Sequence, residues 1–147
     1  IYGLTKGQVS PTSPMGMKSG TSPYGNIARP LNPTTLALAY GATFVARTFS
    51  RERDMVSDLI TRAIQHKGFS FIHDLSPCVV FNKDVTYGSV NSVTAQLPEE
   101  HDILDRSNAM SLAESTEPVY QGLFFQEKIP SFDDHVKQVK DGLNKSD

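Results

Sequence analysis

The strongest constraint on the fold is the order of the periodic segments between Asn32 and Leu75. Asn32-Pro33 predicts a helix start, with Asn as N-cap and Pro at the first helical position, followed by Thr34 to Tyr40 and closed by Gly41. Thr43 to Thr48 reads as a short strand. Ser50 is placed to cap a second helix over residues 51–66, with Met55, Leu59, Ile60, Ala63 and Ile64 on one face and Gly68 as its stop. Phe69 to Leu75 is the next strand. Helix, strand, helix, strand with apolar strands implies crossovers in a mostly parallel sheet, so the fold class is α/β. Two strands do not make a stable sheet. Further strands are therefore expected before Ile1, and the chain is expected to be a fragment.

The flanks have a different texture. Between Gly7 and Pro30, Gly, Pro, Ser and Thr recur without helical or strand periodicity, which predicts a long irregular loop. Loops of that length are usually functional or disordered, and in the ordered alternative Tyr24, Ile27 and the prolines pin it to a surface. After Asn82 the pattern changes again. Asp105 is placed to cap a short helix ending near Glu114, Pro118 to Gln126 reads as a strand, and Ser131 with Asp134 forms a capping-box-like helix start. The apolar face of that last helix is thin, and its lysine-rich end is expected to fray at Asn144 to Asp147. The division expected is residues 1–84 as one domain part and 85–147 as a carboxyl-terminal extension wrapping a larger assembly.

Charge separates the same two regions. Residues 1–51 hold five of the 14 basic residues and no acid, so the remaining nine face all 16 acids. A +5 head is followed by a −7 body. Such asymmetry is either a basic loop surface or a partner signal. The basic residues lack the clustering and interleaved aromatics of a phosphate-backbone track, so no nucleic acid partner is expected. No apolar run approaches the roughly 20 residues of a membrane-spanning helix, so no membrane partner is expected either. Ile1 opens the sequence without a basic-then-apolar stretch, so no signal peptide is visible. The lone Cys78 excludes an internal disulfide and a zinc site of several local thiolates. It is either a small buried hydrophobe or a metal ligand whose co-ligands lie elsewhere. His66 falls near a helix end, His73 on a strand, and His101 and His135 in acidic surface stretches, so none is assigned a catalytic role.

Ile1-Tyr2-Gly3-Leu4-Thr5-Lys6-Gly7-Gln8, Ser10-Pro11-Thr12-Ser13 and Gly41-Ala42-Thr43-Phe44-Val45-Ala46-Arg47 closely resemble the β subunit of 2-oxoacid:ferredoxin oxidoreductases. Gly68-Phe69-Ser70-Phe71, Ser76-Pro77-Cys78-Val79-Val80-Phe81-Asn82 and Gly122-Leu123-Phe124-Phe125 extend the resemblance along nearly the whole chain. It implies the second half of a thiamine-diphosphate-binding fold. The family's Gly-Asp-Gly diphosphate motif and its downstream Asn would precede Ile1. The implied activity is oxidative decarboxylation of a 2-oxoacid, 2-oxoglutarate in the relatives most alike, to an acyl-CoA with reduction of ferredoxin. The implied setting is a cytoplasmic enzyme of unlike subunits, in which an α subunit completes the site.

By the same resemblance the backbone carbonyl of Ile1 is a ligand of the Mg²⁺ that bridges the diphosphate, a role a hard cation readily gives to such an oxygen. Tyr2, Gly3 and Thr5 then belong to the cofactor region, although Gly3 and Gly7 alone also read as ordinary turn residues. Leu4 and Lys6 fall where the substrate pocket begins. Lys6 is either a solvated loop residue or the partner of a distal substrate carboxylate. Cys78 matches the family's last ligand to a [4Fe-4S] cluster, the other three thiolates coming from the preceding half. The rival reading, from a different class, is a non-catalytic anion-binding or subunit-interaction module of the same fold.

Overall fold

The computed structural model describes residues 1–143. The expected fraying of Asn144 to Asp147 lies outside the described residues. Asn32 caps α1 (Pro33–Ala39), its side-chain oxygen accepting from the backbone N–H of Thr34 and Thr35. Chain order continues with β1 (Phe44–Phe49), α2 (Arg53–Gln65), β2 (Ser70–Leu75), α3 (Tyr87–Val93), β3 (Thr94–Gln96), α4 (Arg106–Glu114), β4 (Val119–Gln126) and α5 (Phe132–Leu143). β1 and β2 are parallel neighbours joined by α2, as the alternation requires.

Among the described residues the sheet has four strands in the order β2-β1-β4-β3. β3 and β4 are also parallel, and only the central β1–β4 pair is antiparallel. A strand from the expected extension thus lies beside β1 in the middle of the sheet. Every residue of β1 is buried, which explains a strand that reads as apolar without alternation. The β1–β4 register shifts between Val45 and Ala46, so that Val45 opposes Phe125 and Ala46 opposes Leu123. Phe124 is the extra residue of this bulge, and the kink puts the consecutive Phe124 and Phe125 into one core cluster with Val45, Leu38, Ala109 and Ala113. Leu123 enters the opposite cluster with Phe44, Ala46 and Leu59. Gly122, at φ 133°, follows from the same distortion. A Cβ there would lie 3.1 Å from Leu97 Cδ1.

Three local expectations need correction. Glu52 rather than Ser50 occupies the cap position of α2 and makes no side-chain capping bond, while the buried Ser50 hydroxyl has no partner. The chain leaves β1 through a turn that places Ser50 under the strand end instead of at the helix start. On α2, Leu59 is buried, with Met55 and Ala63 packed behind it, whereas Ile60 and Ile64 are exposed. The stripe meeting the sheet is narrower than the apolar spacing. In the long loop, Tyr24 and Ile27 are 99% and 93% exposed and pin nothing. The loop is held by Asn26, whose side chain donates to the carbonyls of Ser13 and Pro14, and by a buried Ser13 that accepts from the Ser10 N–H.

Asp105 and the Ser131–Asp134 pair do cap their helices. The Asp105 side chain accepts from the Asn108 N–H, and the Asp134 carboxylate accepts from both the N–H and the hydroxyl of Ser131. These bonds hold the Asp134 carboxyl below the usual carboxylate range.

Candidate functional site

The carboxyl end of β2 is where an open α/β sheet offers a crevice to ligands. A cavity of about 450 Å³ lies there, lined by Ile1, Thr12, Ser13 and Met17 from the first segment, by Leu75 to Cys78, and by Val90, Val93 and Thr94 around α3. Two of the residues singled out in the sequence, Ile1 and Cys78, separated by more than half of the chain, thus share one cavity. Cys78 is a half-buried free thiol.

Residues Ile1 to Gln8 close a small loop. Tyr2 and Gln8 pair as an antiparallel bridge, and Gly7 donates from its N–H to the Tyr2 carbonyl at 3.0 Å. Lys6 takes a positive φ of 62°, uncommon for a residue with a side chain and typical of tight turns and binding loops. Gly7 follows at φ 101°, and a Cβ on it would meet Phe81 Cβ at 3.4 Å. The first loop therefore sits against the loop that carries Cys78. Tyr2, Gly3, Leu4, Thr5 and Lys6 are all exposed, Leu4 to 98%. The fold presents them on a protruding turn, with no wall of this chain opposite.

Among the described residues no group of three or more His, Cys, Asp or Glu could hold a metal ion. The chain can give a cluster one thiolate, and a Mg²⁺ one backbone carbonyl. Such a partial donor set fits a site whose other ligands come from outside the described residues, and both donors adjoin the same cavity.

Beside it, and sharing Thr12, Leu75 and Val119 with it, runs a groove of about 650 Å³ that reaches Arg47 and His73. Charge and spacing gave no sign of what Arg47 does. It is 3% exposed and each of its three nitrogens donates. Nε bonds the Thr34 hydroxyl, Nη1 the Tyr120 carbonyl, and Nη2 both the Asn32 side-chain oxygen and the Ala113 carbonyl. Its guanidinium carbon lies 5.2 Å from the centre of the Phe124 ring. Burial lowers its pKa to about 10, so it stays charged at neutral pH. The Thr34 hydroxyl, 3.2 Å from His73 Nδ1, has its single proton free to donate there. Burial first, and the neighbouring Arg47 charge second, push the His73 imidazole down to about 4 against the opposing pull of Asp74. His73 is neutral at pH 7.

A second arginine repeats the device at the other end of the bulge. Arg106 lies 4.0 Å from the Phe125 ring and bonds the Leu38 and Ala42 carbonyls. His101, expected on an acidic surface, is instead 2.8 Å through Nε2 from the Phe124 carbonyl. An extra strand residue has no ladder partner, and the imidazole N–H supplies one. The pattern that could have revealed Arg47 is its place inside a strand whose other residues are apolar or Thr.

Two family models divide the chain. One described as the C-terminal TPP-binding domain of thiamine pyrophosphate enzymes matches residues 1–73, and one described as the C-terminal part of the pyruvate ferredoxin oxidoreductase beta subunit matches residues 78–141. The chain belongs to the β-subunit family of 2-oxoacid:ferredoxin oxidoreductases. It corresponds to the carboxyl-terminal part of such a subunit. The 2-oxoglutarate synthase subunit KorB of Methanocaldococcus jannaschii is 34% identical, the match covering 97% of this chain and 53% of the relative. The 2-oxoacid:ferredoxin oxidoreductase subunit beta of Sulfolobus sp is also 34% identical, over 93% of this chain and 49% of the relative. In three dimensions the chain is similar to a solved 2-oxoglutarate:ferredoxin oxidoreductase from Magnetococcus marinus, with 2-oxoglutarate, coenzyme A and succinyl-CoA bound. That match has a TM-score of 0.93 and 37% identity, and covers 98% of this chain and 50% of the other. The chain thus spans about half the length of these relatives. Among the described residues no helix is long and apolar enough to cross a membrane.

Proposed function

We propose that this β-subunit chain contributes half of the thiamine-diphosphate site, and one cluster ligand, of an enzyme that oxidatively decarboxylates 2-oxoglutarate to an acyl-CoA and reduces ferredoxin in the cytoplasm. An α subunit completes the enzyme. The observation that carries the reading is the meeting of Ile1 and Cys78 at one cavity beyond the carboxyl end of β2. Bound thiamine diphosphate supplies the carbon nucleophile that makes loss of carbon dioxide from a 2-oxoacid feasible, which is why no histidine of this chain is needed as nucleophile or base.

This chain's residues bind and orient. The Ile1 carbonyl would give Mg²⁺ an oxygen ligand, and Tyr2, Gly3 and Thr5 would help hold the cofactor. Gly3, lacking a Cβ, lets the diphosphate side come close to the backbone. The Lys6 ammonium, held outward by its left-handed turn, pairs with the distal carboxylate of 2-oxoglutarate, and Leu4 meets the chain between the carboxylates. The Cys78 thiolate would hold one iron of a [4Fe-4S] cluster, a group that would supply one-electron chemistry. Residues 1–84 carry the cofactor half and residues 85–147 form the extension, whose β4 braces the cofactor half from within the sheet.

The test is the complete enzyme, expressed with the segment that precedes Ile1 in the longer protein and with its partner subunit. Ferredoxin reduction is expected to require thiamine diphosphate, Mg²⁺ and coenzyme A, and to run faster on 2-oxoglutarate than on pyruvate. A complex that binds the cofactor and turns over no 2-oxoacid would leave the non-catalytic module as the reading.

A further inference from the structure

A cleft of about 440 Å³ opens at the amino end of β1 and β2, between Arg62, His66 and Lys67 at the end of α2 and Gln126 and Lys128 at the end of β4. Gln126 stands opposite Phe44, the first residue of β1, and Lys67 precedes β2. The cavity shared by Ile1 and Cys78 lies at the other end of β2, a strand of six residues and so about 20 Å long.

The lining is chemically one-sided. It holds one guanidinium, two ammonium groups and no carboxylate. The ion pairs among the described residues are Arg62–Asp58 and Arg106–Glu127, so neither lysine is paired. Asp58 sits 3.6 Å from Arg62 with its side chain 63% exposed, and a pair so open to solvent leaves most of the arginine's charge to act on the cleft. Glu127, next to Lys128, is engaged by Arg106, and Asp134, the carboxylate that feels Lys67, is already committed to the Ser131 N–H and hydroxyl.

The neutral groups are set to match. Arg62 Nη2 donates to Gln126 Oε1 at 3.3 Å, and because a guanidinium only donates, the amide is turned with its oxygen toward Arg62 and its NH₂ free to donate. His66 is held in place by Thr43, whose hydroxyl lies 2.8 Å from Nε2. Gly68 makes room for that contact, since a Cβ there would collide with the same hydroxyl. Positive charge and hydrogen-bond donors therefore converge on walls that are already ordered, which leaves less freedom to lose on binding. One carboxylate is satisfied by a single arginine fork, whereas three separate cations suit the spread charge of a phosphate.

We propose that this cleft is an anion site that takes a phosphate group, free or carried as an ester, at the end of the sheet opposite the Ile1–Cys78 cavity. Its volume falls in the range of small-ligand sites. The inference holds whether or not the chain takes part in catalysis.

Calorimetric titration of the complete enzyme, already saturated with thiamine diphosphate, Mg²⁺ and coenzyme A, with inorganic phosphate and with AMP at low ionic strength reads the site directly. One added site per copy of this chain is expected. Lys67→Gln and Lys128→Gln are each expected to weaken it roughly tenfold, and the two together roughly a hundredfold. Gln126→Glu, which replaces a donor by a repelling charge, is also expected to cost roughly tenfold. Lys18→Gln, on the long loop, removes the same unit of charge and is expected to leave the affinity within about twofold. Lys67 and Lys128 are exposed, and an unchanged melting temperature confirms that each variant is folded. Tighter binding of AMP assigns the site to a phosphate ester and equal binding to free phosphate, and either upholds the proposal. A parent without the added site overturns it, as it would if another part of the enzyme covers the cleft. So does a double variant that binds like the parent, or a Lys18→Gln variant weakened as much as Lys128→Gln, which would reduce the effect to net charge.

Discussion

The middle of the sheet and its rim at Ile1 and Cys78 obey opposite rules. Around Arg47 and Phe124 every polar group named above finds its partner within the chain, across α1, β1, α4 and β4. At the rim, Tyr2 to Lys6 project into solvent and Cys78 stands as a single thiol. The first region is complete and resists change. The second, on the function proposed above, is a half site. Stability and chemistry are thus separable by position, and mutations should sort accordingly.

The largest expected effect lies at the rim and leaves the frame alone. Cys78→Ala in the complete enzyme should eliminate or convert the four-iron signal in low-temperature EPR, lower the iron content and abolish ferredoxin reduction. Melting should shift by no more than about 1 kcal/mol of stability, since little volume is lost. Intact iron with full ferredoxin reduction would return Cys78 to a packing role and dissolve the contrast.

Arg47→Met is the converse. It keeps the stem and strands the Ala113 and Tyr120 carbonyls in a buried site, so a loss of about 3 kcal/mol or more is expected in urea unfolding. Cofactor affinity, in whatever fraction remains folded, should change little.

Acid sharpens the comparison without a mutation. An unfolded histidine titrates near 6.5, and His73 in the fold near 4, so within that window the unfolded chain binds a proton that the native chain refuses. Stability from His73 is complete above about pH 6.5 and declines as pH falls toward 4, by at most about 3 kcal/mol. His73→Gln should flatten the dependence of the urea midpoint between pH 7 and pH 4.5 on this group. An unchanged slope would mean that His73 charges freely in the fold.

The smallest effect expected is at Lys6. Lys6→Ala should lower kcat/KM for 2-oxoglutarate relative to pyruvate by roughly tenfold, because only the former carries a second carboxylate. Equal losses on both substrates would instead assign Lys6 to the diphosphate or to the turn.

How much of this was legible depends on the range of the forces. Asn32, Asp105 and Ser131 announce their helices because capping is settled within four residues. The α2 crossover between parallel strands follows from local alternation alone, and the resemblance that singles out Ile1 to Lys6 and Cys78 is carried by short motifs. The helix at Tyr87–Val93 and the short strand after it carry weak local signals: the capping box of Thr86 uses Ser89 where the usual signature has Glu or Gln, and seven residues with a Gly among them are too few to show a period.

Sequence by itself determined the α/β class, the starts of α1, α4 and α5, and the family. Tertiary structure decided that a strand from the expected extension lies antiparallel beside β1, and that a bulge buries two successive phenylalanines. It also decided that Arg47 is a buried brace instead of part of a basic surface. Each of these depends on partners dozens of residues apart, whose meeting is fixed by the best joint burial of apolar surface and pairing of polar groups. No window of the sequence contains both sides of that balance.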